Sequence, residues 1–304
     1  MIAVDSDHAP GIDFDRFQIQ ITSSSSKDKY DNPIDELGRP GLLTFPTTLS
    51  IVSNEDPSTT VHIRVLTGKA SGGGTRVGTP RTLREVVATV PTDHVALLHL
   101  TVDWLCVGAA KPEPDGYVEG LCPEGLTCIA GQCVDWTVDS ATLPAFEEEE
   151  VFGGGSRRGD GECFDTIACF AQGAMADVRL SDCSVALPSG GRGTNVALVL
   201  SPSEGGICAD AASGPCLVPL SAGAREGYRV EGDRAILPRA ACERLAEASG
   251  VRKVIGVATT PACATKTERL PTCGAWSPYR KPLGPSGAPA GYKPPPPQDA
   301  GVDG

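Results

Sequence analysis

The sequence predicts a mostly β protein: an immunoglobulin- or fibronectin-like β-sandwich, a small disulfide-rich connector, and a second disulfide-stapled β-rich domain with one helix. Three observations support this prediction. Residues 1–105 carry short strand-like runs and no cysteine, all twelve cysteines lie between positions 106 and 273, and one helical pattern begins at Pro238. A length of 304 residues suits about two domains.

The first domain, residues 1–105, alternates between strand-like runs and turn-forming residues. Runs such as 17–21 and 61–65 place an apolar side chain at every second position, as a half-buried strand requires. Glycines at 72–74 and prolines at 57 and 91 separate such runs. Six or seven short strands without a helical pattern favour a sandwich.

The connector, residues 106–135, has too few apolar side chains to build a core of its own. Cysteines at 122, 128 and 133 follow a C-x5-C-x4-C spacing. Such a segment keeps its shape only when cross-linked, at ~2–4 kcal/mol for each bridge.

Residues 136–160 are predicted to form an acidic, glycine-containing linker. Glutamates occupy positions 147–150 and glycines occupy 153–155, a composition typical of solvated, flexible chain. Arg157 and Arg158 lie in this segment and mark a protease-sensitive point rather than a binding patch.

The second domain, residues 161–276, contains two continuous apolar runs at 195–200 and 253–258, which indicate buried strands. A helix is predicted between Pro238 and Ser249, with Gly250 just beyond its end. From residue 277 to 304 proline, glycine and alanine dominate, and we expect a disordered or polyproline II tail.

The cysteines indicate the compartment. No C-x2-C pair occurs, and zinc sites usually require such close ligands, so disulfides are favoured over a metal. The spacing of the cysteines does not determine which of them are bonded to each other. The candidates are Cys106, Cys122, Cys128, Cys133, Cys163, Cys169, Cys183, Cys208, Cys216, Cys242, Cys263 and Cys273. Disulfides predict an oxidising location: secreted, periplasmic or on the outer surface.

The N-terminus lacks the basic and apolar regions of an export signal. Because the cysteines predict export, we expect a signal or lipoprotein leader upstream of Met1; a lipoprotein leader would add a lipid anchor. No stretch approaches the ~18 consecutive apolar residues that a transmembrane helix needs.

The net charge of -12 argues against nucleic acid as a main partner, because an acidic surface repels phosphates. Residues 103–150 hold eleven acidic side chains and one basic side chain. Most of the excess of acidic over basic side chains therefore lies in the connector and linker and not in either domain.

No catalytic residue, cofactor site or metal site is predicted. All four histidines, His8, His62, His94 and His99, lie in the first domain, which excludes a self-contained Ser-His or Cys-His system in the second. Two groups of acidic residues leave alternatives open. Asp160, Glu162, Asp165 and Asp182 could include a hydrolytic carboxylate pair, and Asp5, Asp7, Asp13 and Asp15 could bind calcium or cap turns.

Each of the three tryptophans, Trp104, Trp136 and Trp276, lies within three residues of a cysteine. Packing over a disulfide explains this position. Exposed aromatic rings also stack on sugar rings, and Trp276 is the candidate for ligand stacking.

The stretch from Asp103 to Cys106, followed by the C-x5-C-x4-C motif, resembles a group of uncharacterised exported bacterial proteins. These are predicted lipoproteins of gliding, predatory soil bacteria, with an N-terminal β-domain and a cysteine-rich C-terminal domain. The stretch from Cys208 to Cys216, with residues 217–220, and residues 262–274 are similar to their C-terminal region. The resemblance implies an envelope location and transfers no activity.

These observations together predict a non-catalytic binding or structural module for an unidentified protein or glycan at the cell surface. The alternative is a carboxylate-based, glycosidase-like hydrolase in residues 161–276.

Overall fold

The computed structural model describes residues 1–24, 29–35, 37, 43–52, 59–70, 79–115, 117–188, 193–209, 214–247, 253–279 and 282–283. The fold is mostly β, as the sequence predicts, with several sheets and three short α-helices in these ranges.

The first unit consists of two sheets that share one hydrophobic cluster. The three-stranded sheet, in the order β4-β1-β7, contains β1 (Ile2–Ser6), β4 (Thr47–Leu49) and β7 (Leu98–Val102). The five-stranded sheet, in the order β12-β6-β5-β2-β3, contains β2 (Arg16–Ser23), β3 (Lys29–Asp35), β5 (Thr60–Lys69), β6 (Thr79–Thr89) and β12 (Thr137–Val138). Strand β1 is antiparallel to β4 and parallel to β7.

Alternating side chains along β5 explain the packing of these sheets. Val61, Ile63 and Val65 are buried in the shared cluster. Successive strand residues point to opposite faces, so Arg64 faces away from that cluster. Its Nη1 donates to Oε1 of Gln20 at 2.7 Å on the outer face. The two sheets pack their apolar faces against each other; the β-sandwich of immunoglobulin or fibronectin type stays a prediction.

The connector packs against β6. In the structure the connector begins two residues before the predicted boundary, with a 3-10 turn (Trp104–Cys106). Two hairpins follow: β8 (Ala110–Pro112) with β9 (Val118–Gly120), and β10 (Leu126–Ile129) with β11 (Gln132–Asp135). The Glu85 N–H donates to Oγ1 of Thr127 at 2.8 Å, and Arg84 donates to the Cys128 carbonyl at 3.1 Å. The connector is therefore held in place by its disulfides and by hydrogen bonds to the five-stranded sheet.

The segment predicted as a flexible linker is packed in the structure. Strand β12 pairs in parallel with β6, and α1 (Glu148–Val151) follows. Val151 and Phe152 are buried with Ala3 and Leu97 of the first unit. Two large apolar side chains anchor the segment despite its acidic and glycine-rich composition.

The second unit contains two antiparallel sheets. The five-stranded sheet, in the order β14-β22-β17-β19-β18, contains β14 (Ala174–Ala176), β17 (Asn195–Leu200), β18 (Ile207–Cys208), β19 (Cys216–Leu220) and β22 (Val254–Thr260). The four-stranded sheet, in the order β15-β16-β21-β20, contains β15 (Val178–Arg179), β16 (Ser184–Ala186), β20 (Arg229–Glu231) and β21 (Arg234–Ile236).

Strand β17 is buried on both faces, which explains its continuous apolar sequence. Val196 and Leu198 lie in the cluster shared with the four-stranded sheet and with α3 (Arg239–Ala246). Ala197 and Val199 lie in a second cluster with Phe170 of α2 (Thr166–Phe170). The predicted helix near residue 240 is thus confirmed as α3, which covers one side of the sheet.

Each unit contributes hydrophobic side chains to the core of the other. Trp104 and Leu105 of the connector lie in the main cluster of the second unit. Ile207 and Trp276 of the second unit lie in the cluster of the first. Each core is therefore completed by side chains from the other part of the chain.

The first residues of the predicted tail are packed. Ser277 and Tyr279 are buried, and β23 (Pro282–Leu283) pairs in parallel with β13 (Cys163–Phe164). The remainder of the predicted disordered tail, residues 284–304, lies outside the described residues.

Candidate functional site

A groove with a cavity volume of about 920 Å³ lies between the connector, the four-stranded sheet and helix α3. Ala130, in the turn between β10 and β11, and Gln132, the first residue of β11, line it from the connector. The second unit contributes residues 180–183, the loop before β20, and one face of α3. Ligand pockets typically measure ~300–1,000 Å³. The groove therefore has the size of a ligand site. We call it the connector groove, because the connector forms one of its walls.

Gly131 lets the connector turn reach helix α3. Its φ is +75°, and a Cβ at this position would lie 2.4 Å from the Cβ of Ala240. Only glycine fits both the left-handed conformation and the close approach. Arg244 of α3 also donates from Nη2 to the carbonyl oxygen of Leu105. The wall formed by the connector is thus fixed against the second unit.

Disulfides stiffen the groove on both sides. Cys183 and Cys242 line it and are joined by a bond that ties the residue before β16 to α3. The Cys106–Cys128 bond joins the 3-10 turn to β10 in the opposite wall. A site held by cross-links is preformed, and less conformational entropy is lost when a ligand binds.

The rim of the groove carries three arginines, Arg225, Arg229 and Arg239. Arg229 pairs with Glu231 at 2.8 Å and Arg239 pairs with Glu243 at 2.9 Å, and all four side chains are more than half exposed. Exposed ion pairs of this kind contribute only ~0–1 kcal/mol, so these guanidinium groups can exchange partners. They can form bidentate hydrogen bonds with a carboxylate or phosphate of a ligand.

The floor of the groove is partly apolar. Ile236, Leu237 and Ala246 line it, and Leu180, at its edge, is 52% exposed. The groove thus combines apolar side chains with charged groups at its rim.

A second, much smaller cleft lies at the junction of the two units. Its cavity volume is about 30 Å³, and its lining includes Asp5 and Asp7 of the first unit and Glu226, Lys266 and Glu268 of the second. One water needs ~10–15 Å³, so the cleft has room for two or three waters at most. This junction cleft is too small for a sugar ring or a peptide side chain.

Lys266 is the central cation of the junction cleft. Its side chain is 4% exposed, and Nζ donates to Oγ of Ser221 and to the carbonyl oxygen of Thr267, both at 3.2 Å. Burial lowers the pKa of Lys266, and the charges of Asp5, Asp7 and Glu268 oppose that effect. Burial raises the pKa of Asp5. The cleft therefore contains buried ionisable groups whose charges depend on one another.

A second buried network joins the first unit to the connector. Asp7 accepts from the backbone N–H of Trp104 at 2.9 Å and lies 2.8 Å from Nδ1 of His8. Burial acts to lower the pKa of His8, but the hydrogen bond and charge of Asp7 outweigh it, so the pKa is raised. Burial, with the charges of Asp7 and Glu226, raises the pKa of Asp103 to about 7.

All twelve predicted cysteines form disulfides, and none is free. The pairs are Cys106–Cys128, Cys122–Cys133, Cys163–Cys273, Cys169–Cys263, Cys183–Cys242 and Cys208–Cys216. Six disulfides indicate an oxidising environment.

Trp276, the candidate for ligand stacking, is 5% exposed and lies in the hydrophobic cluster of the first unit. Its carbonyl oxygen accepts from the N–H of Phe45 at 2.9 Å. A ring that stacks on a ligand must present a face to solvent, so the structure supports core packing for Trp276 and not ligand stacking.

The four histidines lie at separate places. His8 is buried beside Asp7, His62 lies against the Trp136 ring, and His94 pairs with Asp93 on the surface. His99 lines the junction cleft, where burial and the charge of Arg269 lower its pKa.

The acidic candidates mostly support backbone structure. Asp165 accepts from the N–H of Ala168 and caps α2, while Asp160 accepts from the N–H and hydroxyl of Ser156. Asp13 accepts the N–H of Ala9 within its own turn and also the N–H of the distant Gly206, and Asp15 accepts the N–H of the distant Ala70.

In the described ranges no three histidine, cysteine, aspartate or glutamate side chains are grouped so that they could hold a metal ion. Likewise, none of the described helices is long and apolar enough to cross a membrane.

The connector groove combines residues that are up to 116 positions apart in the chain, from Ala130 to Ala246. No motif in the sequence marks them. No protein-family model matches the chain, and neither a curated protein nor a solved structure matches it.

Proposed function

We propose that this protein is a non-catalytic binding module of the cell envelope or the extracellular space, and that its ligand lies in the connector groove. The observation that supports this most is the groove itself: about 920 Å³, held by disulfides, with an apolar floor and three rim arginines. Preformed pockets of this kind are where ligands bind in most proteins.

The location is part of the proposal. Six disulfides suggest an oxidising compartment, and the extracellular space, the periplasm and the outer surface all provide one. The ligand is then a protein or glycan met at the cell surface.

The rim arginines favour ligands that carry carboxylates or phosphates. The chain as a whole has a net charge of -12 and repels polyanions. Binding of an anionic polymer therefore requires a local site such as Arg225, Arg229 and Arg239.

Retention on immobilised polymers tests this proposal. The resins carry polyglutamate, polygalacturonate and, as a neutral comparison, dextran. We expect retention on at least one anionic resin, and at least a tenfold loss of affinity when Arg225, Arg229 and Arg239 are all changed to Gln. Lys111→Gln, in the exposed hairpin of β8 and β9, is the matched control and should leave retention unchanged. Absence of retention on both anionic resins, or equal retention of the triple variant, would contradict the proposal.

A second candidate function is a carboxylate-based hydrolase in residues 161–276. Its support is that Glu226 and Glu268 line one cleft, and that burial, with the charge of Glu226, raises the pKa of Glu268. A raised pKa suits a general acid. The cleft volume of about 30 Å³ favours the binding proposal over this one. Turnover of a panel of aryl glycosides that is lost in Glu268→Gln would reverse that preference.

A further inference from the structure

Two adjacent arginines stand on an exposed loop between the two halves of the chain. Arg157 and Arg158 are exposed, and the side chain of Arg157 is 60% accessible. The loop is closed at its base, where the Glu162 N–H donates to the carbonyl oxygen of Gly153 at 2.8 Å. The Arg157 contact to Glu148, at 3.6 Å, is an exposed ion pair that holds the loop only weakly.

Backbone at this loop is the only covalent connection between the two halves. All twelve cysteines lie in the described residues, and none of their six disulfides joins a residue before Arg157 to one after Arg158. The bonds of the connector end at Cys133, and the next bond begins at Cys163.

The two halves are nevertheless held together by non-covalent contacts. Trp104 completes the core of the second half, and Trp276 and Ile207 complete the core of the first. The Gly206 N–H donates to Asp13 at 3.0 Å across the same boundary. Burying a large apolar side chain contributes ~1.5–3 kcal/mol, so three such side chains form a substantial interface.

We infer that the Arg157–Arg158 loop is a processing site, at which an arginine-specific, trypsin-like endoprotease converts the single chain into a two-chain protein whose halves stay associated. Hydrolysis of the amide that follows Arg157 or Arg158 consumes one water, and it leaves a carboxylate on that arginine and an amine on the next residue. Exposed loop tips are the preferred sites of such nicking, and both arginines are exposed at the tip of this loop.

Limited digestion with trypsin tests accessibility and association together. We expect an early cut after Arg157 or Arg158, mapped by mass spectrometry. The two fragments should separate in SDS without reductant and elute together, at the position of the intact protein, in native size-exclusion chromatography. The variant with both arginines changed to Gln should lack this cut. The matched control, Arg229→Gln with Arg239→Gln, alters exposed arginines within β20 and α3 and should be cut like the unmodified protein.

Protein isolated from its source cells tests processing itself. Intact-mass analysis and N-terminal sequencing should find a second N-terminus at Arg158 or Gly159. A single uncut chain in that material would overturn the inference. Three results of the trypsin digestion would also overturn it. The loop could survive until the rest of the chain is degraded, the fragments could stay linked in SDS without reductant, or the halves could elute apart after the cut.

Discussion

The indole N–H of Trp104 donates to the carbonyl oxygen of Glu204 at 3.1 Å, which ties the connector to the second unit. The backbone N–H of the same tryptophan donates to Asp7 of the first unit at 2.9 Å. The ring is 1% exposed, and the guanidinium of Arg244 lies 4.8 Å from its centroid. One residue thus contacts both units, and its loss should weaken both.

Trp104→Ala should lower the free energy of unfolding by about 3–5 kcal/mol, because it leaves a large cavity in the core of the second unit. Urea denaturation followed by circular dichroism measures this. Trp104→Phe, which keeps much of the volume and removes the hydrogen bond, should cost less.

The control for this prediction is Val230→Ala, at a side chain that is 49% exposed. It should change the free energy of unfolding by less than about 0.5 kcal/mol. Equal effects of Trp104→Ala and Val230→Ala would show that Trp104 does not anchor the units to each other.

Asp103→Asn should make stability less dependent on pH. The carboxyl ionises near its ordinary pKa of 3.8 in the unfolded chain and at about 7 in the folded protein. Between these values the folded state binds the extra proton, so its contribution to stability falls as the pH rises from about 4 to about 7. Asn keeps the acceptor for the Leu105 N–H, at 2.9 Å in the structure, and removes the buried charge.

We therefore expect Asp103→Asn to gain stability relative to the unmodified protein between pH 5 and pH 8, by at most about 4 kcal/mol. Urea titrations at the two pH values measure the difference. Asp139→Asn is the matched control, because Asp139 caps the turn at Ser140–Thr142 in the same way but is exposed. A pH profile of Asp103→Asn that parallels that of the unmodified protein would contradict the raised pKa.

Gly131→Ala should destabilise the connector groove. Its φ of +75° and the 2.4 Å approach to Ala240 add backbone strain to a steric clash. Gly125→Ala is the control, since Gly125 has a φ of +84° but open space around its Cβ position. We expect Gly131→Ala to cost about 1–3 kcal/mol more than Gly125→Ala in thermal or urea unfolding. Equal costs would mean that the connector does not pack closely against α3.

Disulfides that close longer loops should stabilise the protein more. Removing Cys163–Cys273, which spans 110 residues, should cost about 4–5 kcal/mol, and removing Cys208–Cys216, which spans 8, about 2–3 kcal/mol. Paired Cys→Ala variants in urea denaturation test the order. The reverse order would indicate that chain entropy in the unfolded state does not determine their effect.

Much of the fold follows from local sequence pattern. The apolar run at 195–200 is β17, and the pattern that begins at Pro238 is α3. Both depend on periodicity within a few residues, which sequence reports directly. The packing of residues 136–160 depends instead on Val151 and Phe152 meeting Ala3 and Leu97, far away in the chain.

The candidate site could not be predicted from the sequence either, because its residues are far apart in the chain and meet only through tertiary contacts. Arg225 and Ala130 face one groove only because the connector folds back against α3, through Gly131 and the Cys106–Cys128 bond. Trp276 shows the same dependence on tertiary structure. Its position three residues after Cys273 is compatible with stacking on a ligand or with packing in the core, and only its contacts with the cluster of the first unit distinguish the two.

Hydrogen–deuterium exchange, with and without polyglutamate or polygalacturonate, most directly tests the proposal that the connector groove binds the ligand. We expect slower exchange in the loop before β20, at residues 223–229, and in α3, with little change in the sheets of the first unit. Unchanged exchange in these two segments, with protection confined to loops of the first unit, would contradict it.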